Sequence, residues 1–151
     1  MIRILFVCHG NICRSTMAQY VLQDMVDKRG LTSQFAIDSA ACRNDEIGSP
    51  VDPRTRRMLE SQGVPCGNHI ARRLRRDEAA DWDMVVGMDG ENMRDLKRQL
   101  PSDAQAKCFK LMEFAGQSRD VADPWYTLNF DETYDDVVAG CQGLLSYLGI
   151  K

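Results

Sequence analysis

Near-continuous apolar runs alternate along this chain with apolar positions at helical spacing. Ile2–Val7 is the first such run and predicts a strand. Met17, Tyr20, Val21, Leu22 and Met25 then recur at helical spacing in a segment that begins near Ser15, and Gly30 is its stop. Phe35–Ser39 predicts a short second strand. Asp52-Pro53 is a helix start, with Asp as N-cap and Pro in the first turn; Met58 and Leu59 lie on its inner face and Gly63 ends it. Asp83–Met88, built around Met84-Val85-Val86, predicts a third, buried strand. Asp89 caps the next helix, which carries Met93, Leu96 and Leu100 and stops at Pro101. Cys108–Met112 predicts a fourth short strand, Glu113–Asn129 a loop, and Asp131–Leu148 the last helix. Tyr134, Val137, Val138, Cys141, Leu144, Leu145 and Leu148 are its inward face.

Strands that alternate with helices imply an α/β fold in three layers, a parallel sheet covered by helices on both faces. In such sheets a site forms beyond the carboxyl ends of the strands, at a topological switch point. The 151 residues are expected to make one domain over 1–151, with no internal repeat, low-complexity tract or linker.

Composition narrows the picture further. The chain is 44% hydrophobic and 27% charged, as globular domains are, and its net charge of −3 gives no electrostatic case for binding nucleic acid or a membrane surface. The Arg72-Arg73-Leu74-Arg75-Arg76 cluster is followed by Asp77, Glu78, Asp81 and Asp83, so it reads as a solvated turn and helix start. The N-terminal apolar run is too short for a signal peptide or a membrane span, and a cytoplasmic protein is the expectation. Of the six cysteines, Cys42, Cys66, Cys108 and Cys141 read as reduced thiols acting as small hydrophobes.

Cys8 and Arg14 stand on the turn between the first strand and the first helix, with five residues between them. Backbone N–H groups converge in such a turn, and the helix N-terminus adds partial positive charge. Arg14 can fork two hydrogen bonds onto a phosphate, above a Cys8 thiolate stabilised by the same field. Ser15 is placed to donate its hydroxyl to that thiolate. Gly10 lets the backbone curve around an anion, and Asn11 tolerates left-handed dihedrals. His9, Gly10, Asn11, Ile12, Cys13, Arg14 and Ser15 together form the phosphate-binding turn. A phosphate ester also needs an acid for its leaving oxygen, and Asp123 is the best candidate: Pro124 stiffens the chain after it, and Trp125-Tyr126 give a hydrophobic rim. A zinc site at Cys8, His9 and Cys13 lacks a second pair of ligands at metal spacing, so no metal is expected.

The run Val7–Ser15, with Met17-Ala18 after it, resembles the low-molecular-weight protein tyrosine phosphatases. So do Asp38-Ser39-Ala40, Asp52-Pro53-Arg54, His69-Ile70-Ala71-Arg72, Met88-Asp89 and Asp120–Tyr126, in family order along the whole chain. The resemblance implies a four-stranded parallel sheet, hydrolysis of phosphotyrosine in proteins and of small aryl phosphates, and a phosphocysteine intermediate. It implies Cys8 as nucleophile, Arg14 as phosphate clamp and Asp123 as acid and base, supported by a network of Asn11, Ser15, Ser39 and His69. It implies no metal and no organic cofactor. Phosphotyrosine-containing proteins are the expected partners, with a monomer as the default state. Ile12 is similar to members that act on phosphotyrosine; threonine stands there in members that act on phosphoarginine.

Three positions depart from the family pattern. His9 replaces an aliphatic or small residue and brings a donor or titratable charge to the pocket mouth. Thr16 replaces a proline at the helix start. The 41–47 loop lacks the aromatic residue that often lines one pocket wall. Cys13 reads either as a small buried residue or as a reversible disulfide partner of Cys8. Two rivals share parts of this pattern. An arsenate reductase needs relay cysteines, and Cys66 and Cys108 are not closely spaced. A phosphocysteine carrier has no use for Arg14 and Asp123.

Overall fold

The computed structural model describes residues 1–151. Four strands, β1 (Ile2–Cys8), β2 (Phe35–Ala41), β3 (Met84–Gly87) and β4 (Cys108–Lys110), form one parallel sheet in the order β2-β1-β3-β4. The helices are α1 (Arg14–Lys28), α2 (Pro53–Ser61), α3 (Gly90–Gln99), α4 (Pro124–Thr127) and α5 (Phe130–Tyr147).

The central strand explains the layering. Side chains alternate along a strand, and β1 is apolar at both parities, so both faces must be covered. Ile4, Phe6 and Cys8 pack with Met17, Val21 and Leu22 of α1 and with Val137, Cys141 and Leu144 of α5. Leu5 and Val7 pack on the other face with Leu74, Leu96 and Leu100. Each fully buried side chain of this size is worth about 1.5–3 kcal/mol relative to exposure. The expected three-layer α/β fold is therefore what the chain forms. The chain leaves β1 for β2 on one side, then crosses to β3 on the other, which makes the carboxyl end of β1 the switch point. Cys8 is the last residue of β1, paired with Ala41.

Element ends differ from the sequence expectation where the tertiary structure intervenes. β1 and β2 run on to Cys8 and Ala41. The fourth strand stops at Lys110 rather than Met112, because Leu111 and Met112 turn into a short 3-10 helix (Leu111–Ala115) that buries both in the core. The span expected as loop contains α4, with Asp123 as its N-cap and Pro124 in its first turn. The arginine cluster is not a solvated face. Arg72 pairs with Asp38 at 3.1 Å and with buried Glu78 at 3.0 Å, and Arg73 bonds Asn44 and Gln99 at 3.0 and 2.8 Å. The cause is backbone pairing: Arg72 and Leu74 bond across to Ala41, which pins the segment along the end of β2. Only Arg75 and Arg76 remain exposed, at the start of a 3-10 turn over Arg76–Asp81. No helix is long and apolar enough to cross a membrane.

Candidate active site

The turn from Cys8 to Arg14 is held by its carbonyls. Those of Cys8, His9 and Ile12 accept from the backbone N–H groups of Cys42, Arg43 and Asp52, at 2.9, 3.1 and 3.0 Å. The N–H groups of Gly10, Ile12, Cys13 and Arg14 bond to no other group of the chain, as the leading amides of a helix do. Asn11 takes the left-handed conformation at φ 63°, and it is this residue, not Gly10, that reverses the chain. Gly10 answers a different demand: a Cβ there would meet Glu46 Cγ at 3.2 Å.

Asn11 also orders the protons of the site. Its Oδ1 faces two donors, His69 Nε2 at 2.7 Å and the Arg72 N–H at 3.2 Å. That fixes the amide, so Nδ2 donates to Ser15 Oγ at 2.8 Å and to Ser39 Oγ at 2.9 Å. Ser39 donates in turn to Gln19 Oε1 at 2.5 Å. Ser15 thus spends an acceptor site on Asn11 and keeps its hydrogen for Cys8 Sγ, 3.0 Å away. The Asn11 N–H points at the same sulfur from 3.3 Å. Two donors thus converge on one buried sulfur. Burial keeps His69 below its ordinary pKa, with Asp38 opposing, which suits a neutral ring that donates through Nε2.

Arg14 is buried, with Nη1 at 2.9 Å from Asp89 Oδ2 and Nη2 at 3.3 Å from Asp123 Oδ2. Burial opposes its charge, but Cys8, Asp123 and Asp89 outweigh burial and hold its pKa above the ordinary value. Asp123 is fixed from its other oxygen by the Trp125 N–H at 3.0 Å. Cys8, Arg14, Asp89 and Asp123 line one cavity of about 340 Å³, with Trp125 and Tyr126 exposed at its rim. Cys13 lines it too; its thiol is buried, and burial together with nearby Asp52 pushes its pKa up to about 12. Cys66 and Cys108 do not line the cavity.

The structure brings together every residue singled out from the sequence. Asn11, Ser15, Ser39 and His69 form one hydrogen-bonded chain behind the sulfur. His9 stands at the mouth between Asp45 and Glu91. Sequence reasoning missed Gln19, Tyr20, Asp38 and the role of Asp89. Tyr20 Oη accepts from the His69 N–H at 3.0 Å. Asp89 was read as a helix cap and as part of the Met88-Asp89 motif, with no role toward Arg14; it is the cap, through Oδ1 and the Asn92 N–H. Its place directly after β3, on the same sheet edge as Cys8, was the available signal.

This fold and site define an α/β protein with a cysteine sulfur at the floor of a cradle of main-chain amides and one guanidinium. A family model described as low molecular weight phosphotyrosine protein phosphatase matches residues 3–151. The low molecular weight protein-tyrosine-phosphatase YfkJ of Bacillus subtilis is 34% identical over 148 residues, 97% of this chain and 95% of that one. The low molecular weight phosphotyrosine protein phosphatase of Schizosaccharomyces pombe is 37% identical over 149 residues, 95% of each chain. The crystal structure of YfkJ superposes with a TM-score of 0.94 over 99% of this chain and 95% of that one, at 34% identity. A protein tyrosine phosphatase from Entamoeba histolytica, crystallised with Hepes in its active site, gives 0.92 at 29% identity, covering 99% of this chain and 97% of that one. The chain belongs to the low molecular weight phosphotyrosine protein phosphatase family, a family of hydrolases.

Proposed function

We propose that this protein hydrolyses phosphotyrosine in proteins, and small aryl phosphates, through a phosphocysteine intermediate on Cys8. The observation that carries the reading is the Cys8 sulfur itself, held by the Ser15 hydroxyl and the Asn11 N–H at the floor of the cavity. The free N–H groups of the turn and the Arg14 guanidinium receive the phosphoryl oxygens, and Arg14 exchanges its contact with Asp123 for one of them. Cys8 Sγ attacks phosphorus in line, the S–P bond forms, and the P–O bond to the phenol breaks. Asp123, once free of Arg14, gives its proton to the leaving oxygen. The same carboxylate then takes a proton from water as the water oxygen attacks phosphorus, the S–P bond breaks, and phosphate leaves. Ser15 holds the sulfur anion before attack and eases its departure from phosphorus in the second step by hydrogen bonding to it. No metal or organic cofactor enters the scheme.

Trp125 and Tyr126 flank the opening and suit a phenyl ring. Phosphorus on a shorter side chain does not reach the sulfur, so phosphotyrosine is the substrate expected over phosphoserine. A thiol nucleophile is best preserved in a reducing compartment, and the cytoplasm is the location this reading expects. Turnover of phosphotyrosine, phosphoserine and phosphoarginine peptides in chelator tests this reading. Cys8→Ser is expected to abolish activity, and Asp123→Asn to lower kcat by about 10²–10⁴. Full activity of Cys8→Ser on an aryl phosphate would contradict it.

Cys13 is the proposed redox partner of the nucleophile. Peroxide oxidises Cys8 to a sulfenic acid; the Cys13 sulfur attacks it, the disulfide forms and water leaves. Because the Cys13 proton is held to about pH 12, the crosslink is expected to form faster as pH rises. Mass spectrometry after mild peroxide should show Cys8–Cys13; trioxidised Cys8 without any crosslink would refute the pairing.

A further inference from the structure

His9 brings to the phosphate-binding turn a titratable side chain that serves nothing in the scheme above. Its Nε2 lies 2.6 Å from Asp45 Oδ2 and its Nδ1 3.1 Å from Glu91 Oε1. A neutral imidazole has a single N–H and would turn a lone pair toward one of those carboxylates. Only the imidazolium donates to both. Asp45 belongs to the chain between β2 and α2, and Glu91 to the first turn of α3. The ring therefore ties two separate walls together across the cavity mouth, and all three side chains line that cavity.

The surrounding charges divide by direction. Asp89 and Asp123 turn inward to Arg14. Arg43, in the same segment as Asp45, is turned away to Asp95 at 2.9 and 3.0 Å. That leaves Asp45 and Glu91 against His9 at the outer rim, with Glu46, bonded to Ser49, lining the same cavity: three carboxylates and a single outer cation. Trp125 and Tyr126, which carry no charge, line the same opening. A peptide whose phosphotyrosine ring rests on the aromatic wall has its neighbouring residues beside the carboxylates.

We infer that His9 is a specificity-determining residue: the acidic rim selects phosphotyrosine flanked by basic residues, and the His9 proton sets how strongly. This rests on the proposed phosphatase reading and adds a substrate class to it. The Asp45 hydrogen bond, with Glu91 assisting and burial opposing, raises the His9 pKa above its ordinary value. The bridge is accordingly closed in acid and persists to higher pH than a free imidazolium would. As pH rises through the folded value the cation is lost, the rim becomes more negative, and discrimination grows.

The test compares kcat/KM for two phosphotyrosine peptides that differ only in flanking residues, lysines in one and glutamates in the other. Enzyme ionisations away from the rim are common to both peptides and cancel in the ratio, and the phosphate pKa of each peptide, titrated separately, corrects for its own ionisation. The lysine peptide is expected to be preferred, with the ratio climbing about two- to fivefold between about pH 6 and about pH 9. His9→Leu is expected to hold the ratio at its high value at every pH, and Asp45→Asn to lower it. High salt should bring the ratio toward one, as it does for exposed charges. A ratio that is flat with pH and identical in wild type and His9→Leu, or a preference for the glutamate peptide, would overturn the inference. Wild-type turnover of p-nitrophenyl phosphate, measured alongside, separates the two levels. If that turnover persists, only the specificity reading falls; if it is absent, the phosphatase reading falls with it.

Discussion

Asn11 decides whether Cys8 meets its two donors. Its backbone sits in the left-handed region, and its side chain joins Ser15, Ser39, His69 and the Arg72 amide. Alanine there carries about 1–2 kcal/mol of conformational cost and orphans buried partners besides. Asn11→Ala is therefore expected to lose about 2–4 kcal/mol in urea unfolding and to lower kcat. Asn11→Gly keeps the backbone angle, so it should recover part of the stability while kcat stays low. Equal stability of Asn11→Ala and wild type would contradict this role. Cys8, Arg14, Ser15 and Asp123 were legible in the sequence because their chemistry shows in short local patterns. Gln19 carries no such pattern, Tyr20 reads only as an inward position of a helix, and Asp38 shows only within the Asp38-Ser39-Ala40 motif, with no partner indicated. They act only because α1, β2 and the His69 segment meet behind the turn.

Among the elements, α2 and α3 were legible because their starts carry capping side chains, Asp52 and Asp89, which each accept from a backbone N–H inside the first turn; α5 was legible from its inward-facing apolar positions, and its N-cap Asn129 falls in the span expected as loop. The 3-10 segments Thr32–Gln34, Ser102–Lys107 and Leu111–Ala115 carry no capping side chain and are too short to establish a period. The α4 turn repeats the Asp-Pro signature of α2 but is only four residues long, which a loop reading absorbs. Thr16, where the family has proline, recovers local order through its hydroxyl, which donates to the Cys13 carbonyl at 2.9 Å. α5 packs closely against Leu111–Ala115, with glycines at the contact. A Cβ on Gly143 would collide with the Phe114 carbonyl oxygen, and one on Gly140 with Leu111 Cγ. The carbonyl belongs to backbone and has no rotamer to yield. Gly143→Ala is thus expected to cost at least about 2 kcal/mol, seen as a lower Tm. It should also lower kcat, because the displaced turn leads into the segment that carries Val121 and Asp123. A Tm matching wild type would show that the contact relaxes freely.

At the scale of the whole molecule, the sheet order turns a one-dimensional pattern into a site. Cys8 ends β1 at the point where the chain changes direction, Asp89 follows β3 on the same edge, and α4 brings Asp123 over it. The layers and the location of the site could be read from alternation of strands and helices. The charge arrangement at the mouth could not, because Asp45 and Glu91 reach His9 only through the fold. The arginine cluster shows the same limit, since the pairing of Arg72 and Leu74 with Ala41 lies far apart in sequence. The central claim is that a sulfur anion at the floor of an amide and guanidinium cradle receives the phosphoryl group. Rapid acid quench of the Asp123→Asn enzyme with a phosphoryl-labelled aryl phosphate tests it most directly. Label on Cys8 approaching one per active site, and none in the matching Cys8→Ser variant, is the expected result. Label on another residue, or turnover by the wild type with no labelled cysteine under any quench time, would contradict the account.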